Sequence, residues 1–470
     1  MESSTPTPKS ILRGHKSQIH TAAFIRSNER LITGDADGFV VLWDLTIMRP
    51  RAVWRAHEKA LLGVRGWGDD KIITHGRDMK LIVWKLGEAD EEHLSTALPV
   101  EDVPTPRAQP WILHLLEVNT LNFCAFAICS SVSGPMDEAS EVLIAVPNTL
   151  NSDAIDIYHL PSQHRIHTIK AGDKTGMAMC LALLHHENAL TLVAAFENGY
   201  ATVQRLEKDG QWVTTYNSQA HSQPVLSLSV YNDFFITSSA DSIVAKHPIP
   251  TDLFFPLQDP EPPQSTERVV EIIDDEPKLA SLLSAGIRAS SSQATMGTSK
   301  KGVAWKDPIK TINTKHSGQQ SLDIRSDGRI FATAGWDSKV RVYSIKTMKE
   351  LAVLKWHQVG CFAVAFADVK TSDKAKEEST STAQQEDGNK VKTSLTKRTT
   401  SLVKAGLSVK EQRIATARQT HWIAAGAKDG KAIAVYLKQT MVKRPSSSLK
   451  KGCFHGSRNN ILADRKAKYC

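Results

Sequence analysis

The 470-residue chain contains no long apolar run. No stretch approaches the roughly 18–20 apolar residues that a membrane-spanning helix needs. The first ten residues, MESSTPTPKS, have no apolar core of the kind found in secretory signal peptides. Both absences predict a protein without membrane attachment.

Cysteine motifs are missing as well. The six cysteines include no C-x-x-C pair, and Cys124, Cys129, Cys180 and Cys361 lie in or beside apolar runs. Buried free thiols fit that placement better than disulfides or zinc ligands do. The sequence therefore predicts neither a metal site nor a cofactor.

Net charge is absent from all but the last part of the chain. Residues 438–470 contain nine Lys or Arg and a single acid, Asp464, and so account for the whole net charge of +8. This tail is rich in Ser and Gly and poor in large apolar residues, so we expect it to be disordered. The neutral remainder has no field to attract nucleic acid, so we expect only weak, salt-sensitive nucleic-acid binding, through the tail.

What the chain does contain is a repeat. The first copy has Gly14-His15, a hydroxyl residue 18 positions after the histidine (Thr33), an acid four residues later (Asp37) and Trp43-Asp44 six residues further. Two more copies keep the steps of four and six, namely His57, Thr74, Asp78 and Trp84, and His316, Thr333, Asp337 and Tyr343. A more altered copy has His221, Thr237, Asp241 and His247. Units of about 40–45 residues with Gly-His near the start and Trp-Asp at the end are typical of WD-repeat β-propellers.

These side chains are interpreted as a structural hydrogen-bond network that stabilises each blade, and not as catalytic groups. The histidine would donate to the acid in the turn between the second and third strands, and the hydroxyl and the indole would complete the chain. Such a buried network stabilises only when every member is satisfied. The predicted structural network comprises His15, Thr33, Asp37, Trp43, His57, Thr74, Asp78, Trp84, His316, Thr333, Asp337 and Tyr343.

Weaker repeats fill the gaps and bring the count to seven. The units start at His15, His57, about Asn119, about Gly172, His221, His316 and His357. The sequence thus predicts an all-β, seven-bladed propeller over residues 9–437 as one domain. Ser10 to Arg13 precedes the first Gly-His and has no unit of its own. We expect it to pair with a strand near Ala432 to Leu437 and to close the ring.

Three inserts interrupt the repeats, at residues 87–110, 250–301 and 370–412. Their compositions, rich in Pro and acids, in Pro and Ser, and in Lys, Ser and Thr, predict disordered loops. All three fall in connections on one face of a propeller. The opposite face carries the short Gly-His and Asp-Gly connections, and there, near Lys16, Lys59 and Gln358, we expect protein partners to bind.

Four runs of the sequence resemble a known family. They are LEVNTLNFCAF (116–126), KHSGQQSLDIRSDGRIFATAGWDSKVRVYS (315–344), LAVLKWH (351–357) and HWIAAGAKDGK (421–431). They resemble the fungal ASTRA-associated WD-repeat proteins, related to animal guanine-nucleotide-binding-protein β-subunit-like proteins, over residues 9 to about 431. The resemblance implies a nuclear, non-enzymatic scaffold of the ASTRA complex with a role in chromatin remodelling. Its implied partners are the ASTRA subunits and the co-chaperones that mature phosphatidylinositol-3-kinase-related kinases.

Other classes of function remain as alternatives. An enzyme using the central channel would need carboxylates or histidines at the starts of the innermost strands, where the sequence places Ala22, Leu61, Leu62, Val225 and Leu226. A G-protein β subunit would carry N-terminal heptads for its γ partner, which the proline-containing residues before Ser10 do not provide. A propeller substrate receptor of a ubiquitin ligase often has Arg two residues after Trp-Asp, but Leu45-Thr46 follows Trp43-Asp44 here. That receptor, or another generic interaction scaffold, is the alternative function.

Overall fold

The computed structural model describes residues 8–101, 106–118, 123–136, 139–151, 153–172, 174–253, 303–369 and 408–436. The chain divides into two units, Met1–Leu437 and Lys438–Cys470, and every described residue belongs to the first. The disorder predicted for the tail, and for most of inserts 250–301 and 370–412, therefore concerns residues outside the described ranges.

Seven four-stranded antiparallel sheets confirm the predicted seven-bladed propeller. From the inner to the outer strand, blade 1 is β2 (Ile19–Ile25), β3 (Arg30–Asp35), β4 (Phe39–Asp44) and β5 (Arg49–Arg55), and blade 2 is β6 (Leu61–Trp67), β7 (Lys71–Gly76), β8 (Lys80–Lys85) and β9 (Trp111–Glu117). Blade 3 is β10 (Ala127–Ser130), β11 (Val142–Pro147), β12 (Ala154–Leu160) and β13 (His164–Lys170), and blade 4 is β14 (Ala178–His186), β15 (Ala189–Phe196), β16 (Tyr200–Leu206) and β17 (Trp212–Gln219).

The remaining three blades follow the same order. Blade 5 is β18 (Val225–Tyr231), β19 (Phe234–Ser239), β20 (Ile243–Pro248) and β21 (Lys310–Asn313), and blade 6 is β22 (Gln319–Ile324), β23 (Ile330–Gly335), β24 (Val340–Ser344) and β25 (Glu350–Leu354). Blade 7 is β26 (Cys361–Phe366), β27 (Trp422–Ala427), β28 (Lys431–Tyr436) and β1 (Ser10–Arg13).

The N-terminal strand closes the ring, as the sequence predicted. β1 runs antiparallel to β28, with Ser10 opposite Ala434 and Arg13 opposite Lys431. The inner strand β26 of blade 7 contacts β2 of blade 1, so the last blade packs on the first. Both ends of the described chain thus lie in one sheet, in which each of the four strands pairs with its neighbour.

The burial of each strand follows its place in the blade. Every residue of β3, β11, β23 and β27, and every residue of β7 except Lys71, is buried, because these second strands have a neighbouring blade on both faces. The space between blades is filled by apolar side chains from both, as where Trp54 of blade 1 meets Trp84 of blade 2 edge to face at 6.2 Å. Outer strands such as β9 and β13 are largely exposed.

Insert 87–110 differs from its predicted disorder. The structure describes residues 87–101 and 106–110, including a 3₁₀ helix at Asp90–His93. Glu91 of this helix is 1% exposed and lies among three arginines of blade 1. Further along, the amide of Val53 on β5 donates to the carbonyl of Ser95 at 2.7 Å. Ion pairing and backbone pairing with blade 1 therefore order a segment whose composition alone indicates a loop.

Residues 408–412 of the third insert also differ from the prediction, because they begin a helix. Helix α1 spans Val409–Gln419 and starts with a capping box in which Ser408 and Glu411 exchange side-chain-to-backbone hydrogen bonds. Its far end is tied to the propeller, since Trp422 Nε1–H donates to the carbonyl of Ala417 at 3.1 Å. In the part of the chain that the structure describes, no helix is long and apolar enough to span a membrane.

Candidate functional site

The short-loop face is the face of the propeller that carries two kinds of short connection. One joins an outer strand to the next inner strand, and the other joins the second and third strands of a blade. The predicted His, Thr, Asp and Trp residues lie beneath this face. Their hydrogen bonds therefore fix the connections that form it.

Blade 2 holds its four predicted residues in one hydrogen-bonded chain. His57 Nδ1 lies 2.8 Å from Asp78 Oδ1, and His57 Nε2 lies 2.8 Å from Thr74 Oγ1. The indole of Trp84 donates to the same Thr74 oxygen at 2.8 Å. Burial alone would raise the pKa of Asp78, but the hydrogen bond from His57 brings that pKa below its ordinary value. The carboxylate therefore stays ionised and anchors the chain.

Blade 1 has the same chain with a different acid. His15 Nδ1 lies 2.7 Å from Asp35 Oδ2, whereas the predicted partner, Asp37, is exposed in the turn. His15 and Trp43 both reach Thr33, at 2.7 and 2.8 Å. Asp35 stands where blade 2 has Gly76, at which a Cβ would lie only 2.4 Å from His57 Nδ1.

The position two residues after the threonine therefore decides which acid reaches the histidine. Asp35 fills that position directly, and it also accepts the amides of Asp37 and Phe39 at 3.0 and 2.9 Å. With glycine there, the acid from the turn folds back instead.

Replacement of Asp35 by alanine should lower the free energy of unfolding by about 1–3 kcal/mol, because it leaves the buried His15 without its acceptor. Asp37→Ala is the matched control and should change stability by less than about 0.5 kcal/mol, as exposed sites usually do. Urea titrations of both variants measure this. Equal losses would contradict the assignment of Asp35.

Blade 6 departs from the predicted network. His316 has a side chain that is 42% exposed, and its Nδ1 stays 3.8 Å from Asp337 Oδ2. Arg341 takes its place and donates two hydrogen bonds to Asp337, at 3.0 and 2.6 Å. Thr333 and Tyr343 are both buried, but the histidine does not bridge them to the acid. The Asp337 turn is therefore held by an ion pair.

Blade 5, the altered copy, has a longer chain than predicted. His221 lies between Asp241 and Thr237, at 3.3 and 2.8 Å, and His247 reaches Thr237 at 2.8 Å in place of tryptophan. Tyr216, on the outer strand of blade 4, adds its hydroxyl to His247 Nδ1 at 2.8 Å. Complete burial lowers the pKa of His247 to about 3, so its ring is neutral and can accept from Tyr216 and donate to Thr237.

A ring of larger side chains surrounds the channel mouth on the short-loop face. Six inner strands carry a β-bulge at their second residue, which turns that side chain toward the channel. In blade 3 a phenylalanine ahead of β10 lines the same channel. We call this ring the collar: His20, Leu62, Phe123, Met179, Leu226, Gln320 and Phe362.

Two aromatic side chains extend the collar onto the surface. Phe123 is 60% exposed, with the guanidinium of Arg77 4.4 Å from its ring centre. Trp336 is 48% exposed and donates from Nε1 to Gln320 Oε1 at 2.8 Å. Gly318, with φ of +71°, lets the indole lie on the backbone, since a Cβ there would approach the ring to 2.1 Å. Both aromatics are thus held in place and exposed.

Comparison with known proteins is consistent with this geometry. The family model "WD domain, G-beta repeat" matches residues 6–44 and 306–344. A protein from Pyricularia oryzae called ASTRA-associated protein 1 is 50% identical over 464 residues, covering 90% of this chain and 96% of its own length. The Verticillium alfalfae protein of that name is also 50% identical, covering 91% and 92%. The Schizosaccharomyces pombe protein is 31% identical, covering 77% of this chain and 93% of its own.

The chain belongs to the ASTRA-associated protein 1 family. The runs in which its sequence resembles that family now have places in the fold. Run 116–126 contains Phe123, and run 315–344 contains Gln320 and Trp336. The exposed aromatics of the short-loop face therefore lie within runs that the sequence analysis singled out.

The central channel is more polar than the sequence predicted. Its volume is about 410 Å³, and besides Ala22, Leu62 and Leu226 it is lined by His20, Arg65, Asp323 and Asp368. Leu61 and Val225, which were expected there, are buried inside the sheets instead. Asp323 Oδ2 accepts the amide of Phe366 at 2.8 Å, and burial raises the pKa of Asp323 to about 6. This carboxyl joins the inner strands of blades 6 and 7.

The four cysteines among the described residues are free thiols. Cys124, Cys129 and Cys361 are buried, as the sequence predicted, whereas Cys180 is half-buried, and burial raises the pKa of Cys129 and of Cys361 to about 12. Thiols of this kind are poor nucleophiles and poor metal ligands. Within the described ranges, no three His, Cys, Asp or Glu side chains are grouped so that they could hold a metal ion.

Proposed function

We propose that this chain is a non-enzymatic scaffold subunit of the ASTRA complex and that it acts in the nucleus. Its partners in this proposal are the other ASTRA subunits, together with co-chaperones that mature phosphatidylinositol-3-kinase-related kinases, and its role extends to chromatin remodelling. Support comes from its family, whose members are named for ASTRA association, and from the surface chemistry of the short-loop face.

The observation that carries the proposal is the set of exposed side chains around the collar. Phe123 and Trp336 expose large apolar area, and Met79, in the connection between β7 and β8 on the same face, is 62% exposed. Energetically dominant contacts of protein interfaces are enriched in Trp, Tyr and Arg and sit near the interface centre. A rigid ring of blades also keeps such residues in fixed positions. This surface suits a protein partner better than a small substrate.

The same face carries five cations without an ion-pair partner in the described part of the chain, beside exposed acids such as Asp37 and Glu58. Lys16, Lys59, Lys315 and Lys428 are exposed on its short connections, and Arg77 lies over Phe123. None of these five makes an ion pair with another described residue. Unpaired surface cations raise the association rate of an oppositely charged partner and make binding sensitive to salt. We propose that acidic segments of the ASTRA subunits bind at these cations.

Substitution at Phe123 of the collar, or at Trp336 next to collar residue Gln320, should weaken assembly without unfolding the propeller. The double variant Arg77→Glu/Phe123→Ala, and separately Trp336→Ala, should each lose about 2 kcal/mol of binding or more, roughly a 30-fold loss of affinity. The measurement is affinity purification of tagged protein from nuclear extract, with ASTRA subunits quantified by mass spectrometry. Imaging of a fluorescent fusion tests the nuclear location.

Ile166→Ala supplies the matched control, because Ile166 is an apolar residue, 43% exposed, on the outer strand of blade 3. It should leave co-purification unchanged. Circular dichroism melting curves establish that all variants are folded. Undiminished recovery of ASTRA subunits with both the Arg77→Glu/Phe123→Ala and the Trp336→Ala protein would rule out this face as the binding surface. Absence of ASTRA subunits from the wild-type sample would rule out the proposed function.

A further inference from the structure

The outer strand of blade 2, β9, presents an unusual combination of apolar side chains and free backbone. Trp111 is 75% exposed, and Ile112 and Leu115 are 43% and 42% exposed. The only strand paired with β9 in the described part of the chain is β8, on its inner side. Apart from the ladder to β8, no backbone group of residues 111–117 hydrogen-bonds to another described backbone group. An exposed, apolar, unpaired edge of this kind is a template for another strand.

Two other outer strands of this molecule bond to a further part of the chain's own backbone, blade 1 through one hydrogen bond and blade 4 through a short parallel bridge. On blade 1, the carbonyl of Ser95 accepts the amide of Val53 at 2.7 Å. On blade 4, Trp305 lies parallel to β17 and exchanges backbone bonds with Thr215 and Asn217, at 2.9 and 2.8 Å. Outer strands of this propeller therefore accept an extended segment. The edge of β9 has the same geometry without such a segment among the described residues.

A pocket beside β9 offers a place for side chains of an added strand. Its volume is about 520 Å³, and its apolar wall includes Leu86, Leu94, Pro110 and Trp111. Lys85, which is exposed and pairs with Trp111 across the ladder, lies on the rim. Lys85 makes no ion pair with any acid in the described ranges. The lining also includes Asp90, His93 and Gln109, so the site combines an apolar wall with polar groups, among which Lys85 has no ion-pair partner in the described ranges.

From these observations we infer that β9 and its pocket bind an extended segment of another protein by β-strand addition. The segment adds a fifth strand to blade 2, with main-chain hydrogen bonds to residues 111–117. Its apolar side chains cover Ile112 and Leu115 and enter the pocket beside Trp111, and an acidic residue faces Lys85. Main-chain bonding supplies affinity in this mode, and the pocket supplies selectivity.

A second copy of the chain fits this edge less well than an extended segment does. At about 3.3 Å per residue, the seven residues of β9 run roughly 23 Å, so strand-to-strand contact buries on the order of 200–300 Å² per partner. A stable dimer needs about 800 Å² per partner. Two rigid propellers meeting edge to edge diverge beyond the strand, whereas a flexible segment can continue from β9 into the pocket.

The experiment selects a probe for this edge and then measures where it binds. A phage library of random dodecapeptides is depleted on immobilised full-length Leu115→Lys protein and then selected on the wild type. The most enriched peptide is synthesised with a fluorescent label, and its Kd is measured by anisotropy. Leu351→Lys is the matched control, because Leu351 is 43% exposed on β25, the outer strand of blade 6.

The expected result has three parts. Leu115→Lys weakens binding at least about 10-fold, because a lysine on the edge opposes strand addition, while Leu351→Lys leaves the Kd unchanged. Hydrogen exchange of the amides at residues 111–117 slows when the peptide binds. Lys85→Glu weakens the binding of peptides that carry an acidic residue.

Three outcomes would overturn the proposal. They are selection that enriches no peptide, an equal Kd for wild type and Leu115→Lys, and binding that leaves exchange at 111–117 unchanged. A dimer in light scattering that Leu115→Lys converts to monomer would assign the edge to a second copy and also refute the proposal.

Discussion

Glu91→Ala should destabilise the propeller by about 3–5 kcal/mol, the range found when one partner of a buried ion pair is removed. The side chain of Glu91 is fully buried, and its carboxylate accepts from Arg30 Nη2 at 3.1 Å and from Arg51 Nε at 3.0 Å. Arg26 also donates to it. Without this carboxylate, three guanidinium groups of blade 1 lose their shared counter-charge. Guanidinium groups do not deprotonate to relieve such a loss.

The neighbouring Glu92 provides the matched control. Its side chain is 70% exposed and pairs only with Arg51, at 3.1 Å, so Glu92→Ala should cost less than about 1 kcal/mol. Denaturant titrations followed by tryptophan fluorescence compare the two variants with the wild type. A Glu91→Ala protein as stable as Glu92→Ala would show that the insert does not depend on this cluster.

The order of insert 87–110 could not be predicted from its own composition. Acidic, Pro-rich segments are usually solvated, and that rule indicates a loop. The partners of Glu91 lie 40 to 65 residues earlier in the sequence, at Arg26, Arg30 and Arg51. Only the packing of blade 2 beside blade 1 brings them to the insert. The start of helix α1 is easier to predict from the sequence, because Ser408 and Glu411 have the spacing of a capping box.

The repeat spacing predicted the blades well and their polar networks less well. Strand identity follows from periodicity, which every blade shares. The partner of a histidine depends on single positions instead, as Asp35 and Gly76 show at one equivalent site. Tyr216 enters the network of blade 5 from the outer strand of another blade, and no spacing rule within one repeat includes it. The ion pair of Arg341 could be anticipated from the sequence, because Arg341 is a charged residue within an otherwise apolar strand.

The sequence placed Leu62 and Leu226 at the channel but missed the other five collar residues and wrongly added Leu61 and Val225, and a parity effect explains this difference. Simple alternation along an inner strand assigns alternate residues to the channel. A bulge after the first residue adds one position, so His20, Leu226 and Phe362 turn inward instead of their neighbours. These residues each lie five positions after the histidine of their repeat. A bulge leaves no mark in composition, so this spacing is recognisable only once the register is known.

Removal of β1 should cost the propeller most of its stability. This strand supplies the fourth strand of blade 7 and places Leu12, 3% exposed, in the core with Trp422 and Ala432. Its loss leaves the edge of β28 unpaired and exposes that core. Because each blade needs its neighbours to bury its faces, the damage spreads beyond one sheet. Total stability of a typical domain is only about 5–15 kcal/mol.

A deletion of residues 2–13 should therefore melt far below the wild type or aggregate, whereas a deletion of residues 2–7, which retains β1, should melt as the wild type does. A pair of point variants tests the same contact without truncation. Leu12→Ala should cost about 2–5 kcal/mol, as buried leucines do, and Ile11→Ala, at a position 42% exposed, much less. Calorimetric melting curves of all four proteins give the comparison. If the 2–13 deletion kept the melting temperature of the 2–7 deletion, pairing of β1 with β28 would not be what holds the ring closed.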